Sequence, residues 1–416
     1  MRVYAASLTR RALLGSALAS SVLGWARTAQ AEDADARGAR MDRIAEAIAE
    51  YDQQGEHRTG TRADEKSASW LVRALAGCGL AARLERFDFT RFDPHKAQVV
   101  FGGQRRHGLP AFDGGVTPAE GVRGRLGPLG SNAEIAFVRI APSPRGEPLA
   151  KLEHARIAGT HRAILVLPER GSEHGDLALI NAERFAAPDA TPVLQLAGSH
   201  TFAVEDGARA GVQAHVIVLA ERTPAFALNV TARIRGADPE AAPLVVMTPR
   251  SGWWSCASER GGGLAALLEI ARALYAAPPR RDVVFVASSG HELGHLGLHA
   301  YLAAHPALAG AHAWLHLGAN FAAARGEVYV QASSDEMAAL AREAFAAEGR
   351  APDRIVGPET PPLGEVHEVA SRPYFSVLGT NPFFHAPDDR WPYAVDLEKT
   401  ARVCEAVVGV ARRLAS

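Results

Sequence analysis

Hydrophobic and polar positions change texture along the chain. Ile44, Ala47, Ile48 and Tyr51 recur at helical spacing. A polar break, His57-Arg58-Thr59-Gly60-Thr61, leads into a second helical pattern over 64–78 with Trp70, Leu71, Leu75 and Cys78 on its inner face. Gly79 stops that helix, and 84–89 alternates as a strand. From about 95 to 225 the pattern shortens into β-like runs among many Gly and Pro, the best of them 135–140, 163–167, 192–196 and 215–219. Few helical periods interrupt them, which predicts a compact β-rich insert. From Asn229 onward strands over 244–247, 282–287 and 313–317 alternate with helices over 264–275 and 293–304. Leu264, Leu267, Leu268, Ala271, Leu274 and Tyr275 make one apolar stripe, which Pro278-Pro279 ends. This alternation predicts an α/β fold with a mostly parallel sheet flanked by helices. Ligands of such sheets gather beyond the carboxyl ends of the strands, here Thr248, Ser288–Glu292 and Leu317-Gly318.

Composition narrows the class. The 416 residues are 47% hydrophobic and 22% charged, as in globular chains, with a net charge of −1. That balance leaves no basic footprint for nucleic acid or anionic lipid. Three cysteines, Cys78, Cys256 and Cys404, exclude a disulfide scaffold and allow at most one pair. The N-terminal apolar run follows Arg10-Arg11, is broken by Gly15, Ser16 and Ser20-Ser21, and ends at Ala29-Gln30-Ala31. Tandem arginines, a mild apolar region and small residues before a cut resemble a twin-arginine export signal over 1–31. Removing it takes away four arginines and no acid, so the net charge of the remainder is −5. No later segment offers about 18 uninterrupted apolar residues, so no integral membrane span is expected after signal removal. The expected location is periplasmic or secreted.

The most conspicuous string is His291-Glu292-Leu293-Gly294-His295, a literal H-E-x-x-H. A zinc-binding version of it lies within a helix, whereas here a strand ends a few residues upstream and Ser288-Ser289-Gly290 makes a turn. Gly290-His291-Glu292-Leu293-Gly294-His295-Leu296-Gly297 instead resembles the strand-end A-E-E-x-G-x-x-G segment of the co-catalytic zinc exopeptidases. That family includes bacterial leucyl aminopeptidases, glutamate carboxypeptidase and glutaminyl cyclases. Asn229-Val230-Thr231-Ala232 resembles its N-V-x-A strand, and Ser258-Glu259-Arg260-Gly261-Gly262-Gly263 its D-D-N-x-S-G turn. Phe384-His385-Ala386-Pro387-Asp388-Asp389 resembles its Y-H-T-x-x-D segment. The polar stretch at His57 and the β-rich region resemble members that carry a protease-associated domain. The implied organisation is a discontinuous catalytic domain over 41–94 and 226–416, with a protease-associated-like insert over 95–225.

In the resembled family two zincs share an Asp, and a Glu beside a ligand Glu activates the bridging water. Carried over by position, Glu292 and His385 keep their ligand types, Glu259 replaces the shared Asp, and His316 replaces an Asp ligand. The family's His-x-Asp pair falls on Thr248-Pro249-Arg250, and the general-base Glu falls on His291. Its S-D-H stretch corresponds to Glu365-Val366-His367, which keeps only the His. The resemblance so carried over implies one zinc held by Glu259, Glu292, His385 and His316, not two. His291 is then the candidate base, and Arg250 and Arg260 candidate clamps for a carboxylate or oxyanion. His367 and Trp253 are candidate substrate contacts. Trp253 has packing as its alternative role, and His316, on an apolar strand, that of a hydrogen-bonded core residue. Cys256 reads as a small packed residue.

Two functions follow from this reading. One is an exported metallohydrolase that cleaves an amide bond in a peptide or N-acyl amino acid. The other is a degenerate exopeptidase fold that binds without catalysis.

Overall fold

The computed structural model describes residues 35–169, 177–349 and 351–416. The leader expected over 1–31 lies outside them. Helix α1 covers residues 35–52. Helix α2 (Arg62–Gly77) starts at Thr61, whose hydroxyl accepts the amide of Asp64. The expected short strand over 84–89 is the first part of a long one, β1 (Arg83–Phe101). There follow β2 (Gln104–Pro110), β3 (Val122–Pro128), β4 (Ile135–Ile140), α3 (Gly146–Ala158), β5 (Ala163–Pro168), β6 (Val193–Leu196), α4 (Thr201–Arg209) and β7 (Gln213–Ile234). Helices α3 and α4 exceed the few helical periods expected there. Polar and small residues break the apolar stripe of α3, which buries only Leu152, Ala155 and Arg156.

The second half runs β8 (Leu244–Pro249), α5 (Gly261–Ala276), β9 (Val283–Ser288), α6 (Leu296–Ala304), β10 (Ala313–Leu317) and β11 (Val328–Ala332). It ends with α7 (Asp335–Ala347), β12 (Arg354–Val356), β13 (Tyr374–Gly379) and α8 (Leu397–Ala415). The sheet order here is β7-β9-β8-β10-β13-β11-β12. β9, β8, β10 and β13 pair in parallel, which bears out the expected α/β architecture. β1 and β7 form one long antiparallel ribbon, from Arg83 opposite Thr231 to Val100 opposite His215. This ribbon joins the second-half sheet to the strands of the β-rich region.

Both faces of the parallel strands are buried, so they read as continuous apolar runs. Leu244 and Val246 face a core with Ile44, Leu71, Leu264, Leu267 and Val407. Val245 and Met247 face the opposite core, with Leu298, Tyr301 and Trp314. α5 is buried on nearly every side rather than along one stripe. Its last turns open to solvent at Arg272, Tyr275 and Ala276, and Tyr275, 55% exposed, lies over Gly79, where a Cβ would stand 2.3 Å from its ring. The three cysteines are buried and unpaired. Among the described residues no helix is long and apolar enough to cross a membrane.

Candidate active site

The carboxyl ends of β8, β9, β10 and β13 converge on one buried polar centre. After β9 the chain turns through Gly290, at φ 86°, into a single 3-10 turn, His291–Leu293. Gly294 and His295 both take left-handed backbone before α6 begins. The H-E-x-x-H string therefore does not lie on a continuous helix, and the rings of His291 and His295 are 5.0 Å apart. After β13 the chain places His385 at φ 59°, and Asp389 ties this segment to the turn before α5. Asp389 accepts the amide and hydroxyl of Ser258 and the amide of Glu259 at 2.9, 2.6 and 2.8 Å. Burial lifts its carboxyl to about 7, with the Ser258 hydrogen bonds opposing and Glu259 adding to the rise.

Glu259 is buried beside His385, its expected co-ligand, and beside Arg260. Its Oε1 lies 2.8 Å from Arg260 Nη2 and 3.6 Å from His385 Nε2. His385 turns Nδ1 to the carbonyl of Leu179 at 2.7 Å, so its Nε2 faces the centre with no hydrogen bond. His316 sits on β10 with Nδ1 on Ser376 Oγ at 2.8 Å and an unpartnered Nε2. Its pKa falls to about 4 because of burial. His291 has Nδ1 3.5 Å from Glu365 Oε1. Burial, with Arg260 and three neighbouring histidines, pushes it well below its ordinary value. Burial therefore favours the neutral imidazole at His291, the residue expected as base.

Glu292 stands apart. Its Oε1 accepts the amide and hydroxyl of Thr59 at 2.8 and 2.7 Å, and Oε2 accepts Ser251 Oγ at 2.6 Å. Burial raises its pKa while those hydrogen bonds oppose the rise. Both oxygens are thus engaged inside the protein. Arg250 likewise faces inward. It pairs with Asp64 at 2.8 Å and donates to the carbonyls of Asp64 and Leu228 and to Ser67. It is a structural cation and no substrate clamp. Trp253 is 2% exposed and packs at 4.6 Å against Phe112, so it forms core and no substrate wall. Cys256 is buried, and desolvation holds its thiol well above the ordinary range.

These contacts decide the fit to zinc. Glu259, Glu292, His385 and His316 do not form a ligand set, because Glu292 is saturated elsewhere and Glu259 already faces a guanidinium. Among the described residues no group of three or more His, Cys, Asp or Glu side chains is arranged to hold a metal ion. The residues present do not fit the expected single zinc.

A cavity of about 950 Å³ opens over this centre. His291, His316 and Asn320 line it from the parallel sheet, and Asp113, Arg156 and Arg184 from the β-rich region. His367 also lines it, with its side chain 71% exposed. At the rim Glu368 bridges His295 at 2.9 Å and His299 at 2.7 Å. Hydrogen bonding from His295 and His299 lowers Glu368 to about 2. The residues missed by sequence reasoning are Thr59, Asp64, Ser251, Glu365 and Asp389. Glu365 stood beside His367 in the stretch compared with S-D-H, and Thr59 in the polar break after α1. Nothing local marked either as facing the site.

Residues 229–410 match peptidase family M28. Over that span the expected kinship with the co-catalytic zinc exopeptidases holds. The fold is similar to BSAP, a zinc aminopeptidase from Bacillus subtilis, at 17% identity and a TM-score of 0.70, covering 89% of this chain and 93% of that one. A peptidase M28 precursor from Shewanella amazonensis gives 17% identity and 0.71, covering 92% and 96%. An aminopeptidase from Aneurinibacillus sp. strain AM-1 gives 16% and 0.67, covering 90% and 93%. No curated protein matches the sequence. The M28 match over 229–410 supports a metallopeptidase-like hydrolase, and the solved structures share the fold.

Proposed function

We propose that this chain binds a peptide or an N-acyl amino acid in the cavity over the polar centre, as a member of the M28 hydrolase class that captures its ligand without metal-dependent cleavage. The carrying observation is Glu292. The one carboxylate that keeps its ligand type and position has both oxygens engaged by Thr59 and Ser251. Releasing it toward a metal would leave three buried donors unpaired, each costing about 1–3 kcal/mol. A cavity of about 950 Å³ is of the size that encloses a small peptide. Its walls offer polar groups that an amide-bearing ligand needs, N–H donors on Arg156, Arg184 and Asn320 and ring nitrogens on His291 and His316.

A second reading, hydrolysis of that amide bond by one metal, is favoured by the unpartnered Nε2 atoms of His385 and His316. Export by the twin-arginine route, with a β-rich insert over 95–225, belongs to the same proposal. It rests on Arg10-Arg11 and the small residues before position 32.

The test titrates the full mature chain by calorimetry with dipeptides and N-acyl amino acids, with and without EDTA, and follows the same mixtures for cleavage. Binding that survives chelation, with no product, is the expected result. Product formation abolished by EDTA would replace the binding reading with the single-metal one.

A further inference from the structure

We infer that the guanidinium of Arg260 is the resident cation of this centre, standing where the resembled family holds its metal and closing the position to zinc. This goes beyond the binding proposal and holds whichever ligand the cavity takes.

The centre is crowded with unpartnered polar atoms. Glu259 Oε1, Glu365 Oε2, His385 Nε2, His316 Nε2 and His291 Nδ1 are all buried and have no hydrogen-bond partner. His385 gives its Nδ1 proton to the carbonyl of Leu179, so its Nε2 lone pair points toward the Glu259 carboxylate 3.6 Å away. Two acceptors that close, away from water, require positive charge between or beside them. In the resembled enzymes zinc supplies it. Here the chain supplies it covalently. Arg260 is 1% exposed, and both its Nη1 and Nη2 lack an aligned hydrogen bond while Nη2 lies 2.8 Å from Glu259 Oε1.

The guanidinium is held there from behind. Its Nε donates to the carbonyl of Ser251 at 2.9 Å, which fixes the plane of the group. The backbone of Arg260 caps α5, and the glycines that follow cannot retreat. A Cβ at Gly263 would stand 2.4 Å from Thr248 Oγ1, and one at Gly262 2.6 Å from the methyl of Ala322. The amide of Glu259 is pinned by Asp389, so the Glu259 carboxylate and its cation are set by opposite sides of the site.

Charge then excludes the ion. Zinc binds a carboxylate oxygen at about 2 Å. A zinc on Glu259 Oε1 would lie within about 5 Å of a guanidinium nitrogen that already sits 2.8 Å from the same oxygen. Like charges so close in a desolvated site repel strongly. Arg260 also occupies the position compared with Asn in the family's D-D-N turn, a neutral residue that leaves the ion its room.

The test removes metal from the full mature chain with chelator, then titrates zinc by calorimetry, with elemental analysis after dialysis. The native chain and Arg260→Lys are expected to take up no stoichiometric zinc. Arg260→Asn is expected to bind zinc at least tenfold more tightly than the native chain and to melt at a higher temperature with zinc than without it. Both gains should vanish in Arg260→Asn/His385→Ala. One zinc per native chain, lost on His385→Ala, overturns the inference, as does a folded Arg260→Asn that gains none. If Arg260→Asn does not fold, the native chain compared with His385→Ala decides alone. Every readout is metal binding, so a failure to capture peptides would leave this result untouched.

Discussion

The guanidinium of Arg250 lies 2.8 Å from Asp64, and neither side chain reaches solvent. The pair ties the end of β8 to the first turn of α2, and the bond from Arg250 to the carbonyl of Leu228 adds β7 to the same knot. Asp64→Asn leaves a buried cation without its counter-charge and is expected to cost about 3–5 kcal/mol in urea unfolding. Arg250→Met/Asp64→Leu should recover much of that loss, since removing both charges leaves none unpaired. A single Asp64→Asn variant as stable as the native chain would show that the pair bears no structural role.

The hydrogen bonds of Glu292 give a second expectation. Thr59→Val removes one of the donors to Oε1 and should destabilise by about 1–3 kcal/mol. Glu292→Gln places a donor where Ser251 or Thr59 also donates, with a loss of the same order. Neither should change the zinc content of the purified chain. Loss of bound zinc on Glu292→Gln would make that carboxylate a ligand after all.

Trp253 tests packing against recognition. Because it is enclosed with Phe92, Phe112 and Leu293, Trp253→Ala should cost about 3–5 kcal/mol. Trp253→Phe, which keeps most of the volume, should lose far less and leave ligand affinity in the cavity unchanged. A large affinity loss in the stable Phe variant would restore Trp253 as a ligand contact.

His57 makes stability depend on pH. Its ring is buried, stacked at 3.7 Å on Tyr51, and desolvation, with Arg250 next, lowers its pKa from 6.5 to about 3. A base whose folded pKa is depressed supports folding above its unfolded pKa and withdraws that support as pH falls. Between pH 6.5 and about 3 the unfolded chain binds a proton that the folded one does not. Stability should fall there by about 1.4 kcal/mol per pH unit from this group. His57→Phe keeps the stacking and should flatten this acid limb, read from urea midpoints at pH 7 and pH 4.5. An unchanged slope would assign the acid sensitivity to other groups, His316 first among them.

Much of the α/β framework was legible because burial on two faces imposes a local signature. Leu244–Met247 is a continuous apolar run and Ala313–Leu317 is broken only by His316, the pattern of central parallel strands when helices alternate with them. The long ribbon of β1 and β7 was not legible beyond its first residues. Arg83–Phe101 mixes exposed charge with buried aromatics, since its burial changes along its length while β7 remains its partner. Tyr275 looked like a core residue by its spacing, yet it covers Gly79 from the solvent side.

The site divides in the same way. Residue types and their order were enough to bring Glu259, Arg260, His291, His316 and His385 to strand ends and turns of one cleft, because chain direction and strand order dictate which loops meet. They were also enough to place Arg250 where the resembled enzymes keep a metal ligand, and to mark Arg260 as a candidate clamp. Only the tertiary structure decided what each charge faces. Glu292 turns to Thr59, from a segment more than two hundred residues upstream, and Arg250 turns to Asp64 from that same region. The orientation of a buried charge is set by whichever distant group compensates its desolvation, and that group has no signature in the neighbouring sequence.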